Sequence, residues 1–321
     1  IIMKIPFQFE NKSYTANAGE SIASALISNK IYSLNDKNSS KRGVFCGMGV
    51  CHECLVEVNG ENNVRACMRK LNSNAIIFKQ KQVKITKFKN EFSYQKKGSD
   101  KYFSDLLIIG GGIGGLSAAL VASNCGVNTV LIDDREKLGG QFYKQPIIGD
   151  NAKCDDQVIF GKKLIDKVIK NGVSIFTNTS VFAIFEKKEI LAIKDNALIT
   201  FRPKKIIFST GAYERGYPVK GWTLPGVMTT GAIQSLLKGY NVLAGKKILM
   251  CGNGPFILHV AKELKKAGAK IVAISEKSSK PTILDYKILF HLLLNSFKLF
   301  FRGIRYLFFL KFNRIPIFYR Y

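Results

Sequence analysis

The stretch CGMGVCHEC, Cys46 to Cys54, constrains this chain more than any other. Its spacing is Cys46-x4-Cys51-x2-Cys54, and after twelve intervening residues comes Cys67. A [2Fe–2S] cluster needs four thiolates, two on each iron. A tight loop supplies three of them, and the fourth arrives from a neighbouring segment. Gly47 and Gly49 suit such a loop, because glycine lets the backbone curl close and aim N–H groups at sulfur. Structural zinc is the competing reading, but it usually takes two CxxC-type pairs, and only one is present. His52 and Glu53, between the ligands, read as exposed loop residues that tune the cluster at most. A cluster moves single electrons, so it implies a second redox centre.

The second constraint is glycine. Gly110, Gly112 and Gly115 in DLLIIGGGIGGLSAAL form G-x-G-x-x-G between an apolar strand and a helix. The three glycines respectively permit a tight turn, approach of a pyrophosphate to the backbone, and close packing of helix on strand. The next apolar run ends TVLIDD, and Asp133 stands where a ribose-binding acid is expected, with Asp134 as the alternative. A second unit, KKILMCGNGPFILHVAKEL, repeats the architecture with Gly252 and Gly254, and Glu276 closes its following strand. Its third glycine position holds Ile257, whose bulk is expected to push helix from strand. The unit reads either as a nucleotide site, with NAD the first choice and another adenine nucleotide the alternative, or as a vestigial repeat of the fold. His259 on that helix reads as a packed side chain.

Between Leu106 and Ile132 there is no charged residue, a length sufficient to span a bilayer. Six Gly, two Ser and two Asn interrupt the run, which therefore reads as a soluble strand–helix–strand unit. No charged n-region, apolar h-region and small-residue cleavage site is read at the start, so a secretory signal is not expected, and seven cysteines is an odd count. Free thiols in a reducing, cytoplasmic setting are expected. The net charge of +26 reads as lysine enrichment spread over the surface. No recognition helix, stacking motif or concentrated basic arm accompanies it, so nucleic-acid binding is not expected.

Residues 1–85 are expected to form a small α+β module: a hairpin about Asn11-Lys12, a helix in 20–31, and a hairpin about Asn59-Gly60. Residues 86–104 read as a lysine-rich linker. Residues 105–240 read as the first part of a dinucleotide-binding α/β domain, and 241–321 as a second, incomplete one. Strands are expected at 106–110, 129–133, 205–209, 247–251 and 270–274. The apolar, basic tail 283–312 is expected to form helices covering the core or a partner interface. Association with a membrane surface is the less favoured alternative. No substrate base or Ser/His/Asp set can be named.

Together with GGQFY and TGAYERGYPVKGWTLPGVMTTGA, these motifs resemble the alpha-type flavoprotein subunits of amine dehydrogenases and oxidases built from several subunits, such as opine oxidase, hydrogen cyanide synthase, dye-linked L-proline dehydrogenase and heterotetrameric sarcosine oxidase. The resemblance implies a fused ferredoxin-like β-grasp domain followed by a thioredoxin-reductase-like flavoprotein with two dinucleotide-binding domains. It implies that FAD occupies the first site, with Gly140, Gln141 and Gly211 along the cofactor beside Gly110, Gly112, Gly115 and Asp133. Cys46, Cys51, Cys54 and Cys67 would hold the cluster. A glycine-oxidase-like beta-type subunit would carry the substrate-oxidising flavin, and electrons would pass to an external acceptor. The family continues into a flavin-closing segment, so the chain reads as truncated at its C-terminal side.

Overall fold

The computed structural model describes residues 2–37, 40–80, 100–149, 156–195, 197–280 and 286–320. They divide into two compact units. One holds 100–215 with Lys238–Tyr240. The other holds 3–80 with Gly216–Leu237 and 241–320.

The N-terminal module grows from alternation. In β1 (Lys4–Phe9) Ile5, Phe7 and Phe9 turn inward while their neighbours face water. Glu10 and Asn11 carry positive φ and turn the chain into β2 (Lys12–Asn17), so the turn lies one residue earlier than expected. Ser21 caps α1 (Ile22–Ser28) by accepting from the Ser24 amide at 3.1 Å. After the short pair β3 (Asn35–Lys37) and β4 (Ser40–Arg42), strands β5 (Leu55–Val58) and β6 (Glu61–Arg65) are joined by the expected Asn59-Gly60 turn. Strand β7 (Ala75–Lys79) runs parallel to β1, giving the sheet order β2-β1-β7-β5-β6. Helix α1 covers it through Ile22 and Leu26, both 1 % exposed or less.

In the other unit, β8 (Asp100–Ile109) begins inside the stretch expected to be linker. Residues 100–104 are strand, and 86–99 lie outside the described residues. Helix α2 (Ile113–Asn124) and β9 (Thr129–Ile132) complete the strand–helix–strand unit, so the uncharged run from Leu106 to Ile132 is not one continuous helix. Helix α3 (Asp156–Lys170), β10 (Ser174–Phe176), β11 (Thr179–Phe185), β12 (Glu189–Lys194) and β13 (Ala197–Phe208) follow. The sheet order is β10-β9-β8-β13-β12-β11, with the first four strands parallel. All four residues of β9 are buried, as a strand covered on both faces requires. Ile108 and Leu131 pack beneath Leu116 and Ala119 of α2, and Leu107 and Val130 face Phe201 on the other side. Because β9 lies to one side of β8 and β13 to the other, a crevice opens at the carboxyl end of β8, where such sheets bind nucleotides.

Helix α4 (Thr230–Tyr240) leads to β14 (Lys247–Gly252), α5 (Pro255–Lys266) and β15 (Lys270–Glu276). Helices α6 (Tyr286–Asn295) and α7 (Phe297–Phe312) precede β16 (Ile317–Tyr319), which completes the parallel sheet β14-β15-β16. The described part of the tail is helical, and α7 meets the core through Leu310, buried against Val260 and Leu264, with Tyr306 and Phe309 beneath the Lys262 ammonium of α5, while Phe290, Leu294, Phe297, Phe308 and Phe312 are exposed. Residues 283–285 lie outside the described residues. Among the described residues, no helix is long and apolar enough to cross a membrane.

Candidate functional site

The loop Cys46–Cys54 is held by its own module. Arg65 donates to the Gly49 carbonyl at 3.0 Å, and Asn35 donates to the Glu53 and Leu55 carbonyls at 2.8 and 3.2 Å. The Met48 amide donates to the Cys46 sulfur at 3.3 Å, the kind of N–H···S contact a cluster loop uses. Gly49 has positive φ, and a Cβ there would stand 2.7 Å from Met68 Cγ. His52 is exposed on the loop, as expected, but Glu53 is half-buried and pairs with Arg42 at 3.6 Å.

The fold brings the four cysteines together as two pairs. Cys46 and Cys51 hydrogen-bond each other, and so do Cys54 and Cys67. In each pair one sulfur is held toward thiolate by its partner's S–H. Cys46 is held down to about 5 chiefly by Cys51, and Cys67 is lowered chiefly by Cys54. Cys51 and Cys54 are pushed up by donating in those bonds and then by burial. Two dithiol pairs fit two irons better than one tetrahedral zinc.

At the first glycine-rich loop, three chain segments meet over the carboxyl ends of β8 and β13. Gly110 has φ +107, and a Cβ there would stand 2.2 Å from the Ser209 carbonyl oxygen. The Ser209 amide donates to the Ile109 carbonyl at 2.8 Å, which seats Ser209–Gly211 beside the loop. The Gly139 amide donates to the Gly111 carbonyl at 2.8 Å, and a Cβ on Gly140 would meet the Gly112 Cα at 2.8 Å. Gln141 is exposed at this rim. Gly112 caps α2 with no side chain, so the first amides of the helix are bare toward the crevice, a ready anion site. Of the two aspartates, Asp133 faces the loop. Its carboxylate accepts from the Gly111 amide at 2.6 Å and the Arg135 amide at 2.8 Å. Burial pushes its carboxyl above the ordinary range, against those bonds. Asp134 is exposed and pairs with Arg135 at 3.5 Å.

The second loop repeats the arrangement. Glu276, 5 % exposed, accepts from the Gly254 amide at 3.1 Å. Gly254 has φ +90 and caps α5, with Pro255 at its first position. Ile257 does not protrude. It is buried in the core with its Cγ2 3.1 Å from where a Gly252 Cβ would stand, so the missing side chain of Gly252 makes its room. His259 is packed as expected, its Nδ1 2.9 Å from the Tyr306 hydroxyl and its Nε2 3.0 Å from Glu263.

Two features escape the sequence. Lys144, half-buried, lies against Gly239 with its ammonium 3.4 Å from Gln141 Oε1. Desolvation, then the Arg135 charge, pushes it down to about 8. Segment Gly216–Leu237 packs with the cysteine module, and only its single tryptophan could have hinted at that.

Residues 3–82 match the family described as 2Fe-2S iron-sulfur cluster binding domain, and residues 104–288, more than half of the chain, match pyridine nucleotide-disulphide oxidoreductase. An opine oxidase subunit of Agrobacterium tumefaciens is 29% identical over 193 residues, 56% of this chain and 38% of the relative. The HcnB subunit of the hydrogen cyanide synthase of Pseudomonas aeruginosa is 28% identical over 66% of this chain and 46% of the relative. The chain thus matches less than half the length of these curated relatives. The crystal structure of L-proline dehydrogenase from P. horikoshii superposes with a TM-score of 0.70 at 24% identity, covering 87% of this chain and 55% of that one, which shows a shared fold.

Proposed function

We infer that this chain, which belongs to the pyridine nucleotide-disulphide oxidoreductase family and carries a 2Fe-2S cluster binding domain, is the electron-transfer subunit of an enzyme that oxidises a C–N bond in an amino acid or secondary amine. The observation that carries the reading is the pairing of four thiols in the same chain as a dinucleotide crevice. The names of the curated relatives, opine oxidase and hydrogen cyanide synthase subunits, supply the substrate class.

In this reading Cys46 and Cys51 hold one iron, and Cys54 and Cys67 the other. Gly110 and Gly112 let the pyrophosphate of FAD reach the bare amides of α2, whose dipole offsets its charge. Gly115 keeps the helix close, and Asp133 fixes the loop and accepts from the ribose. Gly140, Gln141 and Gly211 line the remainder. FAD held there would supply two-electron chemistry, and a cluster on the four cysteines single-electron transfer. The protein's own contribution is to bind, orient and exclude water. We assign no substrate base to this chain; a glycine-oxidase-like partner subunit supplies it, and an external acceptor takes the electrons.

The test is the Cys51→Ala chain, reconstituted with iron, sulfide and FAD. Its paramagnetic cluster signal and reduction of acceptors should both disappear while flavin content stays unchanged. Wild-type signal and acceptor reduction in that variant would overturn the ligand assignment. A second reading, a stand-alone NAD(P)H-dependent reductase, is favoured by the buried Glu276 at the Gly252/Gly254 loop, where NAD or another adenine nucleotide would sit. Rapid bleaching of the isolated subunit's flavin by NADH would select it.

A further inference from the structure

Segment 216–232 lies about 170 residues along the chain from the cysteine loop, yet the two are packed together at five places. The Thr229 amide donates to the Phe45 carbonyl at 2.9 Å, and its hydroxyl lies 3.5 Å from the Cys46 carbonyl. Thr229 is also the N-cap of α4, its Oγ1 accepting from the Ala232 amide at 3.2 Å. Gly47, at φ +63, lies so close to α4 that a Cβ would meet the Ala232 Cβ at 3.0 Å. Gly43 also approaches Pro225, a Cβ standing 3.3 Å from its Cα, and a Gly216 Cβ would meet the Phe45 ring at 2.7 Å. The Trp222 indole lies edge-on to Phe45, with ring centroids 4.9 Å apart, and joins Phe45, Cys46, Met48 and Cys51 in one apolar cluster.

The two thiol pairs are therefore walled by different groups. Cys46, Cys54 and Cys67 are buried and Cys51 is half-buried, and of the four it is Cys46 and Cys51 that pack in the cluster with Trp222 and Phe45. We propose that Trp222 is a positioning residue of the iron–sulfur site: with Phe45 it keeps water from the Cys46/Cys51 side and so holds the cluster's reduction potential down. The proposal rests on reading the four cysteines as cluster ligands. The physical reason is charge. The reduced cluster carries one more negative charge than the oxidised one, and an apolar wall costs the more highly charged state more. Opening the wall admits water and favours the reduced state.

The experiment uses the full chain reconstituted with iron and sulfide, as wild type, Trp222→Ala and Trp222→Phe, in a redox titration followed by electron paramagnetic resonance. At the wild-type midpoint, Trp222→Ala should show a reduced-to-oxidised ratio about threefold or more higher, tenfold being about 59 mV for one electron. Trp222→Phe should restore the wild-type ratio. Since Trp222 is the sole tryptophan, its fluorescence should also fall when the wild-type cluster is assembled at constant flavin content, a readout that needs no variant to fold. A loaded cluster whose potential ignores Trp222→Ala, or tryptophan emission indifferent to cluster assembly, would overturn the proposal alone. A wild-type chain that assembles no cluster would overturn the ligand reading and the proposal with it.

Discussion

Adjacent glycines in the first turn of α2 should respond to the same substitution with opposite sign. In a helix interior Ala is favoured over Gly by about 1 kcal/mol, so each change to Ala starts from a gain. At Gly114 an added Cβ would meet only the Ser209 Oγ, at 2.9 Å, the end of a side chain that can rotate away. At Gly115 it would stand 1.9 Å from the Gly110 carbonyl oxygen, against a floor of 3.0 Å for real contacts, so at least 1.1 Å of movement is required. The obstacle is backbone, fixed by the Gly110 amide bond to the Ile132 carbonyl at 2.7 Å and by Ser209 on its other side. Helix α2 must therefore withdraw from β8. Overpacking of this kind costs about 1–3 kcal/mol, a net loss of up to about 2 kcal/mol once that gain is counted, and at about 3 °C per kcal/mol Gly115→Ala should melt up to about 6 °C lower. In the proposed FAD site the withdrawal would also take the amides of α2 from the pyrophosphate. Losing one hydrogen bond to a charged group, about 1.5–3 kcal/mol, weakens FAD by about ten- to a hundredfold. Thermal melting and flavin-fluorescence titration measure the two effects. Gly114→Ala should melt at or above wild type and bind FAD within about twofold of it. Equal melting points and equal FAD affinities for the two variants would refute the close-packing role of Gly115.

Asp133→Asn keeps one acceptor for the Gly111 and Arg135 amides but turns an NH2 toward the other. A loss of about 1–3 kcal/mol is expected, read as a lower urea midpoint at unchanged slope. Lys144 supplies a pH dependence. Its folded value, about 8, lies below the ordinary 10.5, so between these pH values the unfolded chain binds a proton that the folded chain has released. Stability of the FAD-free chain should therefore rise with pH through that window. Lys144→Met should remove the rise and be the more stable chain below pH 8, as urea midpoints across the window would show.

Much of this protein is written locally. The thiol spacing, the strand–glycine–helix units and the Asn59-Gly60 turn depend on neighbouring backbone conformation, so they were legible residue by residue. Others were not. The extension of β8 back to Asp100 follows from pairing with β13 from Ile199 onward, and nothing in DKYFS announces a strand. That Asp133 rather than Asp134 reaches the glycine loop follows from which side of the strand end faces the Gly111 amide. Ile257 fits because Gly252, five residues away, leaves space that spacing rules do not see. The packing of Trp222 and Thr229 against the cysteine loop is the extreme case. Two segments far apart in the chain meet because each offers apolar surface or backbone groups that the other can cover or bond. Sequence by itself determined which chemistry the chain can hold, since a thiolate or a glycine turn is a property of a few consecutive residues. Tertiary structure alone decided what surrounds that chemistry, since burial is a sum over surfaces brought together from the whole chain.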